Sequence, residues 1–280
     1  MTDHAGLLPV AHRAVDLASG IMRSMRPGVL TSKGDRDMAS EVDFAVEDRV
    51  RAFLTEQTPE IGFLGEENGS SGDTGGLLWT LDPVDGTVNF VHGSPLCAVS
   101  LGLIAGKRAV LGVIDLPFLG GRYSAAEGHG AEADGRRLGV SGVTEVSEAV
   151  VAIGDYAVGP GAEEKNRLRF ALTHRLAARA QRIRMHGSAA VDLAWLAAGK
   201  IDSVIILANK PWDTSAGVVI AREAGALTVD RDGAPHSFDA EATIAANPHL
   251  LPSILALVAG EGSAERGPRP GSAGRRPTRP

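Results

Sequence analysis

The stretch LDPVDGTVNF, residues 81–90, sets two aspartates three residues apart, with a proline between them and Gly86-Thr87 directly after. Asp-Pro and Asp-Gly are common turn pairs. The residues leading in, LLWTLD (77–82), are almost wholly apolar and read as a buried strand. A strand of that kind carries Asp82 to a buried end, where an unpaired carboxylate is costly. The stretch therefore reads as a turn and also as a place where charge is held. Gly86-Thr87 extends the second reading. Glycine lets backbone approach a ligand closely, and N–H groups that open a turn or helix point at an anion. Plain turn chemistry is the alternative for this pair.

Working outward, Leu7, Ala11, Ala14, Val15, Ala18, Met22 and Met25 recur at helical spacing until Pro27-Gly28. A second helix starts near Ser40, with Val42, Val46, Val50 and Phe53 on one face and Glu41, Glu47, Asp48 and Arg49 largely on the others. After the central turn, CAVSLGLIAG (97–106) and RAVLGVIDLP (108–117) read as antiparallel strands, and Asp134-Gly135 signals a hairpin. From Val146 the pattern changes to strand, helix, helix, strand, helix and strand, with Ser188 as a helix cap and Gly199 as its stop. The expected class is α/β, with an α+β first half (1–145) and an α/β second half (146–260). Residues 261–280 are rich in Gly, Pro and Arg and read as a disordered basic tail.

The bulk numbers exclude several functions. In 280 residues, 44% apolar and 22% charged content describes a soluble globular chain. A formal charge of −6 gives no reason to expect a nucleic-acid surface. Cys97 is the single cysteine, so intramolecular disulfides are impossible and a reducing cytoplasm fits. The N-terminus lacks the apolar core of a signal peptide, and no apolar run is long enough to span a membrane.

Carboxylates gather at element ends: Glu66 and Glu67 in LGEEN, Asp82 and Asp85, Asp213 in PWDTSAG, and Asp37 and Asp43 in KGDRDMASEVD. Each has an ordinary explanation alone. Asp43 completes a capping box with Ser40, Asp213 can cap a helix, and Glu66-Glu67 can be a solvated loop. If these loops meet, however, four or five acids repel one another and some must protonate. Divalent cations remove the conflict, and all-oxygen donors with room for a phosphate suit Mg2+. Carboxylates shared between two ions form the usual site for hydrolysing a phosphate ester.

These blocks resemble the inositol monophosphatase family of Mg2+-dependent, lithium-sensitive phosphatases. LDPVDGTVNFVHG is similar to its first signature and WDTSAGVVIAREAGA to its second; GEE, KGDRDMASEVD and RMHGSAAVDLA match weaker elements. The resemblance runs from about Ala11 to Pro252. It implies a layered αβαβα sandwich, two or three Mg2+ ions, a small phosphorylated substrate and a homodimer. By position, Glu66, Asp82 and the Val84 carbonyl hold one ion, and Asp82, Asp85 and Asp213 the second. Glu66 also helps to hold a weaker third through water. Thr87, oriented by Asp43, activates the attacking water. Gly86 and Thr87 amides hold phosphate oxygens, Ser188 and Ala189 line the cleft, Arg184 supports it, and Lys33 and Asp37 belong to a mobile metal loop. Asp85 and Asp213 also meet the substrate. His92, His186 and Cys97 read as structural.

One departure concerns the leaving group. Inositol-hydrolysing members carry an acid seven positions before the second-signature aspartate, and here that position is Ile206. Aliphatic side chains accept no hydrogen bonds, which leaves Asn209 and Lys210 as alternative contacts or as plain loop residues. Inositol 1-phosphate is the default substrate. Histidinol phosphate, fructose 1,6-bisphosphate and nucleotide 3′-phosphates are the alternatives, and a regulatory binding protein using the basic tail is the non-enzymatic one.

Overall fold

In a computed structural model, residues 3–34 and 37–260 are described; the basic tail lies outside them. Helices α1 (Leu8–Ser24) and α2 (Glu41–Gln57) flank a hairpin, β1 (Leu30–Gly34) and β2 (Asp37–Ser40). There follow β3 (Gly62–Gly65), β4 (Gly69–Ser71), β5 (Leu77–Asp85), the short helix α3 (Thr87–Val91), β6 (Ala98–Ala105), β7 (Arg108–Asp115), β8 (Arg122–Ala126), β9 (Gly130–Ala133) and β10 (Arg136–Arg137). The second half runs β11 (Val150–Ile153), α4 (Ala162–Arg179), β12 (Arg182–Arg184), α5 (Ala189–Ala197), β13 (Ser203–Ile206), α6 (Pro211–Glu223), β14 (Leu227–Val229), β15 (Thr243–Ala246) and α7 (Leu251–Ala259).

The first half builds an eight-stranded sheet in the order β10-β9-β8-β7-β6-β5-β3-β4, the second a five-stranded sheet, β12-β11-β13-β15-β14. Burial patterns set the layers. The apolar stripes of α1 (Ala11, Val15, Ala18, Met22) and α2 (Val42, Val46, Val50, Leu54) cover one face of the large sheet. Helices α5 and α6 fill the space between the sheets: Ala190, Ala194, Val219 and Ile220 pack on the large sheet, while Leu193, Leu196 and Ala221 meet Ala152, Val204 and Ile206 of the small one. The other face of the small sheet, Val151, Ile153, Ile205 and Ile244, packs on Leu172 and Leu176 of α4 and Ile254 and Leu257 of α7. Strand alternation thus feeds two cores at once. The result is the αβαβα sandwich that the resemblance implies. Helix α6 can lie directly on the large sheet because β7 has Gly112 there; a Cβ at that position would sit 2.5 Å from the Ala216 carbonyl oxygen.

Some elements depart from the sequence reading. The β1–β2 hairpin and α7 carry no signal used above. Leu54, not Phe53, continues the buried stripe of α2. Asp134 (φ 50°) and Gly135 (φ 74°) form the expected hairpin turn between β9 and β10. Among the described residues no helix is long and apolar enough to cross a membrane.

Candidate active site

The site begins with a strand irregularity. Residues three apart on a regular strand face opposite ways. Asp82 pairs with Ser100 and Asp85 with Ala98, so three steps on β5 match two on β6. This bulge carries the extra residue next to Pro83, which has no N–H to lose from the ladder. It turns Asp82 and Asp85 into the same cavity. The Val84 N–H donates to Asp82 Oδ1 at 3.0 Å, fixing that carboxylate within its own turn.

Parallel pairing brings in Glu66. Gly65 of β3 stands opposite Leu81 of β5, and Glu66 N donates to the Leu81 carbonyl at 3.2 Å, so Glu66 lies level with Asp82. Lys33 Nζ reaches across from β1 to Glu66 Oε1 (2.7 Å) and Glu67 Oε1 (2.9 Å). Burial disfavours the Lys33 charge, but those two carboxylates outweigh it and raise its pKa. Burial pushes Glu67 up to about 7 despite the lysine.

Both readings of Asp43 hold at once. Its Oδ2 accepts from the Ser40 N–H (2.9 Å) and hydroxyl (2.5 Å), completing the capping box of α2. Its Oδ1 is 3.1 Å from Thr87 Oγ1, which is also 3.1 Å from the Val84 carbonyl. Burial raises the Asp43 pKa, against hydrogen bonds from Ser40 and Thr87. Thr87 opens α3 after Gly86, whose φ of +87° and lack of space, 2.9 Å from a Cβ to the Leu96 carbonyl, both require glycine.

Ser188 caps α5 by accepting from Val191 N at 3.1 Å, and donates its own proton to Asp85 Oδ2 at 2.7 Å. Ala190 N donates to the same oxygen. Asp85 Oδ1 has no protein partner among the described residues. Asp213 is not the α6 cap: Lys210 holds that place, Pro211 leads the helix, and Asp213 is its third residue. The helix N-terminus thereby carries the carboxylate into the cavity.

Glu66, Asp82, Val84, Asp85, Gly86, Thr87, Ser188, Ala189 and Asp213 all line one cavity of about 240 Å3. Burial raises the pKa of Asp82 well above the usual range, and the charges of Glu66, Asp85 and Asp213 add to it. Asp85 is pushed up to about 7 by burial, against its Ser188 and Ala190 hydrogen bonds. Asp213 is raised likewise by burial, then by Asp85 and Glu66. Among the described residues no three or more His, Cys, Asp or Glu side chains converge closely enough to hold a metal ion by themselves. The donors are oxygens standing around a space, and Mg2+ takes few protein carboxylates while keeping waters. The all-oxygen chemistry of the set fits such an ion, whose charge would offset the repulsion.

Several expected residues stand elsewhere. Arg184 is exposed on β12 and donates to its neighbour's carbonyl, so it does not support the cleft. Asn209 turns away toward His236, Thr243 and Ala240, and Lys210 does not line the cavity. Asp37 begins β2, and its side chain lies outside the described set. His186 is structural, bonded to Asp192 and edge-on to Trp195; His92 bonds the Val88 carbonyl, and Cys97 is buried.

One positioning residue escaped the sequence reading. Glu47, assigned above to a polar face, is fully buried. Its carboxylate accepts from Arg51 Nη2 (2.6 Å), Glu67 N (2.8 Å) and Asn68 N (2.9 Å), which ties the Glu66 loop to α2. The i,i+4 spacing of Glu47 and Arg51 was its one available signal.

The fold and its acid-lined cavity define a hydrolase of phosphate monoesters. The chain belongs to the inositol monophosphatase family, whose model matches residues 6–262; members of this family are generally metal-dependent. It is 35% identical over 260 residues to inositol-1-monophosphatase ImpA of Mycolicibacterium smegmatis, covering 92% of this chain and 94% of that one. The fructose-1,6-bisphosphatase/inositol-1-monophosphatase of Thermotoga maritima is 34% identical over 204 residues, 71% of this chain and 74% of that one. The crystal structure of the extragenic suppressor protein suhB from Bartonella henselae superposes with a TM-score of 0.84 at 30% identity, covering 91% of this chain and 98% of that one.

Proposed function

We propose that the protein is a Mg2+-dependent phosphomonoesterase acting on a small phosphorylated alcohol, with inositol 1-phosphate as its reference substrate. The observation that carries this is the meeting of Glu66, Asp82, Asp85 and Asp213 from three separate chain regions in one cavity beside Thr87. Glu66, Asp82 and the Val84 carbonyl would hold one ion, and Asp82, Asp85 and Asp213 a second, with Glu66 reaching a third through water. The ions, when bound, supply positive charge to the ester and acidify water.

The chain's own residues do the rest. Thr87 Oγ1 has one proton and two acceptors, Asp43 Oδ1 and the Val84 carbonyl. The hydroxyl accepts a proton from the attacking water as its own passes to Asp43 Oδ1. A buried carboxylate with a raised pKa suits that acceptance. Gly86 and Thr87 amides meet the phosphate, while Ser188 holds one oxygen of Asp85 and leaves the other for the ion. The divisions 1–145 and 146–260 and a cytoplasmic setting, supported by the sequence pattern and the single cysteine, and a homodimer and lithium sensitivity, supported by family likeness, belong to the same proposal.

The test measures phosphate release from inositol 1-phosphate, fructose 1,6-bisphosphate, histidinol phosphate and a nucleotide 3′-phosphate, with Mg2+ and with a chelator, beside Asp85→Asn. Wild type should release phosphate only with Mg2+. Release no greater than that of the variant on every ester would refute the assignment.

A further inference from the structure

We propose that Asn89 is a positioning residue for the metal site: its side-chain NH2 clasps the turn at 186–188 to the first half of the chain and thereby sets which oxygen Asp85 turns into the cavity. This rests on the phosphomonoesterase reading above and deepens it.

Asn89 stands in the middle of α3, on the same short helix as Thr87. Its amide nitrogen has two protons to give and accepts nothing. Both protons go to carbonyl oxygens: Leu96 O lies at 2.8 Å and His186 O at 2.7 Å, with Gly187 O at 3.4 Å beside it. Carbonyls at those distances require a donor, so the nitrogen of the amide faces them and its oxygen faces away. The Leu96 bond, together with Ser94 N donating to the Asn89 carbonyl at 2.8 Å, closes the loop after α3. The His186 bond does something else, for it crosses 97 residues of sequence to the second half.

The turn that it reaches has few other anchors. Gly187 sits at φ +72°, where a Cβ would stand 3.1 Å from Asn89 Nδ2, and a Cβ on Gly86 would stand 3.1 Å from the Gly187 carbonyl oxygen. The turn therefore lies directly against α3 and the glycine before it. His186 Nδ1 bonds Asp192, which ties the turn to α5 within the second half only. Ser188 Oγ and Ala190 N do cross to the first half, but both end on Asp85 Oδ2. Among the described residues, Asn89 alone gives residues 186–190 a hydrogen bond from the first half that does not end on Asp85.

Asp85 depends on that independent anchor. With Ser188 and Ala190 both on Oδ2, Oδ1 is the oxygen left for an ion. If the turn drifts, the two donors no longer single out Oδ2, and the carboxylate rotates to follow them. Partners that orient a metal ligand are part of a metal site, because a ligand fixed beforehand spares the ion an ordering cost. A purely local role for Asn89, closing the loop after α3, would use only the Leu96 bond. The second proton separates the two roles: it acts on Asp85 through the turn, by way of Ser188.

Asn89→Leu keeps the size of the side chain and removes both donors. Mg2+ binding to the metal-free protein is followed by titration calorimetry, beside the Mg2+ dependence of phosphate release from the best ester of the panel above. The variant should bind Mg2+ roughly five- to tenfold more weakly, toward the low end of what partners of a metal ligand supply. Its KM for the ester at saturating Mg2+ should be unchanged. In a Ser188→Ala background the same substitution should weaken binding by less than about threefold, because the bond through which it acts is already gone. Asn89→Ala leaves room for water at the two carbonyls; it should shift affinity in the same direction by less, and it carries the comparison if the leucine variant does not fold. Wild-type Mg2+ affinity in these variants, an equal factor in both backgrounds, or a raised KM with unchanged Mg2+ affinity would overturn the assignment of Asn89 while leaving the phosphatase intact. A wild type that neither binds Mg2+ nor releases phosphate from any ester would overturn both.

Discussion

Replacing Glu47 with glutamine tests whether α2 holds the Glu66 loop. In the wild type Oε1 accepts from Arg51 and Asn68 N, and Oε2 accepts from Glu67 N. Glutamine keeps one acceptor and turns an NH2 toward an N–H, so one buried donor loses its partner. That costs about 1–3 kcal/mol. Glu47→Ala removes all three bonds and leaves Arg51, only 19% exposed, with Ser71 and the Gly69 carbonyl but no carboxylate, which costs about 3 kcal/mol. Urea midpoints at constant slope read both values. The loop that moves carries Glu66, so the half-saturating Mg2+ concentration for phosphate release should rise in Glu47→Gln even where the protein is fully folded. If Glu47→Gln has the wild-type midpoint and the wild-type Mg2+ dependence, Glu47 does not anchor the loop. A loss of stability with unchanged Mg2+ dependence would confine it to the fold.

Other expectations follow from single contacts. Ser188→Ala should lose about 1 kcal/mol of cap energy by thermal or chemical denaturation, and phosphate release should fall further than stability because Asp85 loses a hydrogen bond. Gly112→Ala places a Cβ against Ala216 backbone; overpacking of about 1–3 kcal/mol should lower the urea midpoint, and an unchanged midpoint would mean α6 shifts freely. Burial lowers the His236 pKa from 6.5 to about 4. The fold therefore prefers neutral imidazole, so its contribution is complete above pH 6.5 and is lost as pH falls toward 4, up to about 3 kcal/mol in all. The stability–pH slope in that window should flatten in His236→Gln.

Local signals exposed much of this molecule. The apolar faces of α1 and α2, the Ser40 and Ser188 caps and the Asp134-Gly135 turn are short-range features, and the structure keeps each of them. The acids were visible because carboxylates at the ends of apolar segments are expensive. What stayed hidden depends on pairing between distant segments. Glu47 reads as solvated until β3 and its following loop are laid across α2. Asp155 lines the catalytic cavity without belonging to any motif, and only the parallel register of β11 with β13 brings it to the side of Ile206. Asn209 points away from the cavity, where its Oδ1 accepts from Thr243 Oγ1 of β15 at 3.0 Å. The β1–β2 hairpin has an exposed first strand and so lacks the alternation that announces a half-buried one.

The bulge between Asp82 and Asp85 has a consequence for how this turn can change over time. Its middle residues tolerate exchange only for side chains that fill the same buried space, since Pro83 and Val84 serve the site through backbone. Its length does not. Deleting either residue leaves the aspartates two apart on a regular strand and removes the turn in which the Val84 N–H holds Asp82 and the Val84 carbonyl meets Thr87. Adding one breaks the match between β5 and β6 just before α3, and Thr87 parts from Asp43. Substitutions here are negotiable one at a time, whereas an insertion or deletion of a single codon would dismantle the site in one step.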